Sequence, residues 1–135
     1  MALAPSKQLL TNNDQFGMST SANNAKLKIA SVQMVSTPDL QENLSTASRL
    51  IAAAAADGAQ LAVLPEYFCL MGLKDTDKVL ARESFGNGPI QEQLSQMAKE
   101  NKLHLVAGTI PLEAKDRNKV LNTTLVFDPA GQLVS

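Results

Sequence analysis

Leu61-Ala62-Val63-Leu64-Pro65-Glu66-Tyr67-Phe68 is the stretch that decides the fold of this chain. Four apolar residues ended by a proline read as a short buried strand, and one carboxylate, Glu66, follows just past its end. In open α/β sheets ligands gather outside the carboxyl ends of strands, where loops converge on them while the sheet stays rigid. Glu66 is therefore the first candidate for chemistry.

Working outward, the residues before this strand describe a helix. Ser36, Thr37, Pro38 and Asp39 supply a capping hydroxyl, a proline suited to a first turn and an acid for the helix dipole. Leu40, Leu44, Ala47, Ile51, Ala54 and Ala55 recur at helical spacing and predict a buried stripe. The alanines at 52–56 would let the helix lie close to a sheet, and Gly58 ends it in a left-handed cap. Before it, Lys28 to Met34 (KIASVQM) has the length and β-branched content of a strand. Strand, helix and strand make one βαβ unit, with the right-handed connection that strand twist imposes.

A second unit follows. Asp75 to Ser84 predicts a weaker helix, and Phe85-Gly86-Asn87-Gly88-Pro89 a turn. Ile90, Leu94, Met97 and Ala98 predict a stronger helix closing near Asn101. Leu103 to Ile110 (LHLVAGTI) reads as a strand covered on both faces. Val120 to Phe127 (VLNTTLVF) is another strand, with Leu121, Leu125 and Phe127 on one face and Val120, Asn122, Thr124 and Val126 on the other. Asp128-Pro129-Ala130-Gly131 is a type I turn sequence, and Gln132 to Ser135 begin a return strand. So short an arm leaves a poorly paired edge, which predicts a fragment.

Composition excludes several classes. A chain of 135 residues with 44% hydrophobic and 19% charged residues is one globular domain at most. A net charge of −1 gives no footprint for nucleic acid or an anionic membrane. The longest apolar run, Leu50 to Ala56, is far short of the roughly 20 residues a membrane span needs. One cysteine permits no internal disulfide and no Cys-based metal site, and a secretory signal pattern is lacking, so a cytoplasmic protein is expected. Residues 1–25 are rich in Asn, Ser, Thr and Gln and predict a disordered N-terminal extension. Residues 26–135 then form the domain.

Four words carry a resemblance. They are KIASVQM at 28–34, NLSTASRLIAAAAADGAQLAVLPEYF at 43–68, LVAGTIP at 105–111 and LNTTLVFDPAGQLV at 121–134. Their order and spacing resemble the nitrilase superfamily of carbon–nitrogen hydrolases, in its amidase-like, Nit-type branch. The resemblance implies an α/β fold, the N-terminal half of a nitrilase-type α-β-β-α sandwich truncated at its C-terminus. It implies hydrolysis of a small-molecule amide to acid and ammonia by a Glu-Lys-Cys set. It implies no metal or organic cofactor, and a homo-oligomer when complete. Glu66 matches the general base. The lysine and the nucleophilic cysteine belong to positions after the last matched word, so the chain alone is expected to be inactive.

Other residues take ordinary readings. Cys69 sits among Phe68, Leu70 and Met71, which suits an inert buried thiol. His104, the one histidine, is expected to pack and hydrogen-bond within its strand. Lys115, Arg117 and Lys119 read as a solvated loop, and Gly86-Asn87-Gly88 as a turn rather than a phosphate loop. Asn122 could line a pocket, but its residue type at a half-buried strand position does not place it in the site. Two other function classes remain: a non-catalytic α/β interaction module, and a nucleotide-binding domain. The second is weak, because VSTPD rather than a glycine-rich turn follows the first strand.

Overall fold

The computed structural model describes residues 26–135, so the expectation for residues 1–25 lies outside the described residues. The elements are β1 (Ile29–Ser31), α1 (Leu40–Ala56), β2 (Leu61–Val63), α2 (Asp75–Leu80), α3 (Pro89–Asn101), β3 (His104–Glu113) and β4 (Val120–Phe127). They form one four-stranded sheet in the order β1-β2-β3-β4. The first two pairings are parallel and the last antiparallel. Two crossovers of the same hand that step in one direction put their helices on one face of the sheet. Helices α1 and α3 accordingly pack on each other there.

Helix α1 begins where the sequence places it, though by a different atom. Asp39 is the N-cap and accepts from the Glu42 N–H, while Pro38 lies just outside the helix. At the other end Gly58 has φ +86, and the N–H groups of Gly58 and Ala59 donate to Ala55 and Ala54. That is the paired capping that a left-handed glycine allows. Leu44, Ala47 and Ile51 are buried, whereas Ala52, Ala53 and Ala56 face outward. The buried stripe of the helix is therefore Leu44, Ala47 and Ile51, and the alanines at 52, 53 and 56 do not set its packing.

Two elements differ in length from expectation for a reason visible in the hydrogen bonds. Helix α2 stops at Leu80 because the chain returns to the sheet: the Glu83 N–H donates to the Pro111 carbonyl, and Glu83 accepts in turn from the Glu113 N–H. The same bridge, with β4 on the other side, carries β3 on to Glu113. Strand β1 is shorter than 28–34 because the chain turns away to the loop after β2, where Ser36 Oγ donates to the Phe68 carbonyl.

The core lies between sheet and helices: Leu44, Ile51, Leu94, Leu105, Leu125 and Phe127 are all buried. The opposite face is not covered by any of the described residues. Val63, Val106 and Val126 stand in one row across β2, β3 and β4 at partial exposure, and Ile29 beside them is 57% exposed. The expected two-sided cover of β3 thus holds on one face only over its first half. The return arm does pair with β4, since Val126 donates to Ser135 and Val134 donates to Val126. The Asp128 turn closes as read, with the Gly131 N–H donating to the Asp128 carbonyl at 2.9 Å.

Candidate active site

The loop after β2 carries Glu66 and is tied down from both sides. From one side comes Asn43, a buried side chain on α1. Its Nδ2 donates to the carbonyls of Thr37 (2.7 Å) and Cys69 (3.0 Å), and its Oδ1 accepts from the Thr37 N–H (2.8 Å). One amide therefore joins the loop after β1 to the loop after β2. Inside a protein such satisfied polar contacts fix position, because any loss leaves buried groups unpaired.

From the other side comes a bulge in β3. Its register against β4 shifts between Ala107 and Ile110, so Gly108 and Thr109 stand where the partner strand offers one residue. Gly108 has φ +26, and a Cβ built there would lie 1.9 Å from the Pro65 carbonyl oxygen. Only glycine lets the two backbones approach so closely. Thr109 then presents its hydroxyl to the Tyr67 N–H at 3.0 Å. Tyr67 is itself left-handed, with φ 57. A non-glycine residue in that region holds strain that its surroundings must maintain, and such strain collects at functional sites.

Glu66 sits between Pro65 and this strained residue, and is exposed. Its Oε1 accepts from Asn122 Nδ2 at 2.7 Å. Asn122 reaches it from β4, opposite Pro111 in register. With Oε1 so held, Oε2 is the atom left for exchange of a proton with a bound molecule. Asn122 also lines a small pocket with Tyr67, Cys69, Lys78, Pro111 and Val120. A fixed carboxylate at a strand's carboxyl end, beside a pocket of mixed character, is an arrangement suited to general acid–base work.

A family model described as carbon-nitrogen hydrolase matches residues 28–135. The chain belongs to the carbon–nitrogen hydrolase family. This carbon–nitrogen hydrolase chain is 40% identical over 111 residues to omega-amidase NIT2 of Xenopus tropicalis, covering 82% of this chain and 38% of that protein. It is 35% identical over 104 residues to deaminated glutathione amidase of Synechocystis, covering 76% of this chain and 38% of that one. It also superposes on Nit3 of Saccharomyces cerevisiae, a member of branch 10 of the nitrilase superfamily, with a TM-score of 0.70 and 29% identity. That match covers 81% of this chain and 42% of the Nit3 chain. The hydrolase chain thus spans less than half the length of the relatives it matches. Its sheet and helices are the α/β half of a nitrilase-type sandwich.

The remaining residues of the hydrolase chain sort plainly. Cys69 is 1% exposed, and burial pushes its thiol up to about 12, so it is an inert group as read. Its Sγ has only a weak contact, 3.9 Å, to the Thr109 carbonyl. His104 departs from expectation: it is exposed on the open face of the sheet, because its register row with Ile29 and Leu61 points away from the helices. Its ring makes no hydrogen bond among the described residues. Lys115, Arg117 and Lys119 are solvated, with Lys119 3.7 Å from Asp116. Among the described residues no cluster of His, Cys, Asp or Glu could hold a metal ion, and no helix is long and apolar enough to cross a membrane.

Sequence reasoning singled out Glu66, weighed Asn122 and left it out of the site, and gave no sign of Asn43 or Thr109. For Gly108 a signal did exist: a lone glycine inside an apolar strand points to a bulge or a close backbone approach.

Proposed function

We propose that residues 26–135 supply the first portion of an amidase-type carbon–nitrogen hydrolase and that Glu66 is its general base. The observation that carries this reading is the Glu66 carboxylate at the end of β2, held by Asn122 at 2.7 Å in a chain of this family. The relatives named omega-amidase and deaminated glutathione amidase support a small-molecule amide as substrate, cleaved to a carboxylic acid and ammonia.

Amides are weak electrophiles, so a thiolate nucleophile divides the reaction into acylation and deacylation. In this mechanism Glu66 takes the thiol proton, passes it to the departing ammonia and then draws a proton from the attacking water. A lysine ammonium stabilises the tetrahedral oxyanion in a site with little water. The resemblance places that lysine and that cysteine after the last matched residues. Cys69 does not replace the nucleophile, because it is buried with a raised pKa. The 135-residue chain alone therefore hydrolyses no amide. For a complete protein the proposal extends to a homo-oligomer and a cytoplasmic location.

Ammonia release from succinamate tests the reading. The 135-residue chain should give none, and turnover by it that survives Cys69→Ala overturns the nucleophile argument. In the complete protein Glu66→Gln should abolish acylation while preserving the fold, and unchanged turnover removes Glu66 from the mechanism.

One observation favours a second reading, a non-catalytic interaction module. The open sheet face, with Ile29 57% exposed next to Val63, Val106 and Val126, is an apolar surface that monomers rarely present. A monomeric, cooperatively unfolding chain that binds no hydrophobic dye removes this reading.

A further inference from the structure

The face of the sheet turned away from α1 and α3 carries a row of valines. Val63, Val106 and Val126 lie side by side across β2, β3 and β4, and Ser31 ends the row on β1. The row continues onto the return arm, where the Val134 N–H donates to the Val126 carbonyl. Leu133 packs on the core, so Val134 beside it turns the other way and is 57% exposed. Ile29, Leu61 and His104 form the neighbouring row on one side. On the other side Thr124, exposed one alternate step along β4, begins a third. None of the described residues covers these rows.

Charge and size both bear on what fits this face. None of the residues just named is Asp, Glu, Lys or Arg, and His104 is the one ionisable side chain among them. The charged groups at the border are engaged elsewhere. Lys28 Nζ donates to the Asp57 carbonyl beyond the end of α1, and Asp128 Oδ1 accepts from the N–H groups of Ala130 and Gln132 in its own turn. A face without charge meets its own copy with no like charges opposed, and a patch that complements itself closes about a two-fold axis. Four strands and the return arm at a spacing of roughly 4.8 Å span about 20 Å, and three rows of alternate residues reach about as far along the strands. Two such faces bury on the order of 1,000 Å² between them, which meets the lower bound for a specific interface.

We propose that in the 135-residue chain this face pairs with the same face of a second copy, sheet on sheet, with α1 and α3 of both copies outside. Two copies of one twisted sheet pack with their mean strand directions about 30° apart and about 10 Å between sheets. At that spacing the valines of one row lodge between those of the other, and removal of apolar surface from water drives the association. The inference rests on the interaction-module reading above and names the partner. Asn122, which holds Glu66, follows Thr124 on the same side of β4. The second copy therefore lies beside the Glu66 carboxylate without drawing on it.

Sedimentation velocity of the 135-residue chain over a concentration series, with binding of a hydrophobic dye read in parallel, tests this. A dimer should grow in with concentration, and dye binding should fall as it does. Val106→Lys should raise the dimer dissociation constant about 100-fold or more, because it sets an unpaired ammonium in an apolar contact. Ala53→Lys, on the outward side of α1, should leave it unchanged. Val63, Val106 and Val126 changed together to Thr keep side-chain shape and should weaken the dimer about tenfold or more, and this variant decides if the lysine variant does not fold. A chain that stays monomeric and binds the dye overturns self-pairing and leaves the interaction-module reading standing. One that stays monomeric and binds no dye removes both. A dimer that survives the valine changes, or assembly that runs past the dimer, overturns the pairing of these two faces.

Discussion

Asn122 Nδ2 donates to Glu66 Oε1 at 2.7 Å, linking residues 56 positions apart in the chain. The donor comes from β4 and the acceptor from the loop after β2, with β3 between them in the sheet. A carboxylate on a loop is thereby fixed by a side chain on a rigid element.

That bond is exposed, so it orients more than it stabilises. Asn122→Ala should change unfolding free energy by less than about 1 kcal/mol, because both groups regain water. In a complete protein the same change should lower kcat about 10- to 100-fold through loss of orientation. Chemical denaturation and steady-state kinetics check the two halves, and a large stability loss with intact kcat contradicts the assignment.

Gly108→Ala should be far more severe. The new Cβ would lie 1.9 Å from the Pro65 oxygen, at a φ of +26 that side chains rarely adopt. Overpacking against backbone together with strain should cost about 3 kcal/mol or more. For a domain of this size that lowers Tm by roughly 12 °C or more, or prevents soluble expression. A thermal melt within a few degrees of the parent would show that the bulge can relax.

Asn43→Ala removes four hydrogen bonds to the two loops, leaves the Cys69 carbonyl without its partner and leaves the Thr37 carbonyl with the Met71 N–H alone. Loss of a buried network of this kind should cost about 2–4 kcal/mol. Asn43→Asp does not rescue it, because a carboxylate cannot donate to either carbonyl. Comparing the two variants by urea unfolding tests this.

Cys69 makes a prediction about pH. Burial raises its pKa to about 12 in the folded chain, while an unfolded thiol titrates near 8.5. Above roughly pH 8.5 the unfolded state therefore binds fewer protons than the folded one, and stability falls as pH rises toward 12. The stability contribution is complete below pH 8.5. Cys69→Ala should remove that alkaline slope, and native-state alkylation at pH 8 should be slow compared with a free thiol.

Glu83 is a buried carboxylate whose Oε1 accepts from the Ile90 N–H and whose Oε2 accepts from the Gln91 N–H and Gln91 Nε2. It caps α3 from outside the helix, where negative charge is favoured. Glu83→Gln sets an amide donor against those donors and should cost about 2 kcal/mol. Loss of helical ellipticity at a lower denaturant midpoint is the expected readout.

Much of this architecture could be read from residue patterns. The spacing of Leu44, Ala47 and Ile51 and the Gly58 stop describe α1, and the words around 43–68 carry the family as well as Glu66. The pattern failed where a residue's meaning depends on another strand. Asn43 occupies a core position of an amphipathic helix, and nothing local says that two loops will cross above it. His104 sits in an apolar run whose burial depends on a second layer, so alternation alone cannot place it on the open face. Lys78 reads as one more charge on a short helix until the fold brings the Tyr67 ring beneath it.

The Thr109 hydroxyl that accepts the Tyr67 N–H makes this loop amide a reporter of the contact between the β2 loop and the β3 bulge. Its proton can exchange with solvent only when the β3 bulge and the β2 loop separate, which breaks the Gly108 packing as well. In a hydrogen-exchange experiment Tyr67 should then retain its proton on the timescale of the core strands, unlike an ordinary exposed loop. A loop that exchanges as slowly as the core has already met its ordering entropy before any ligand arrives.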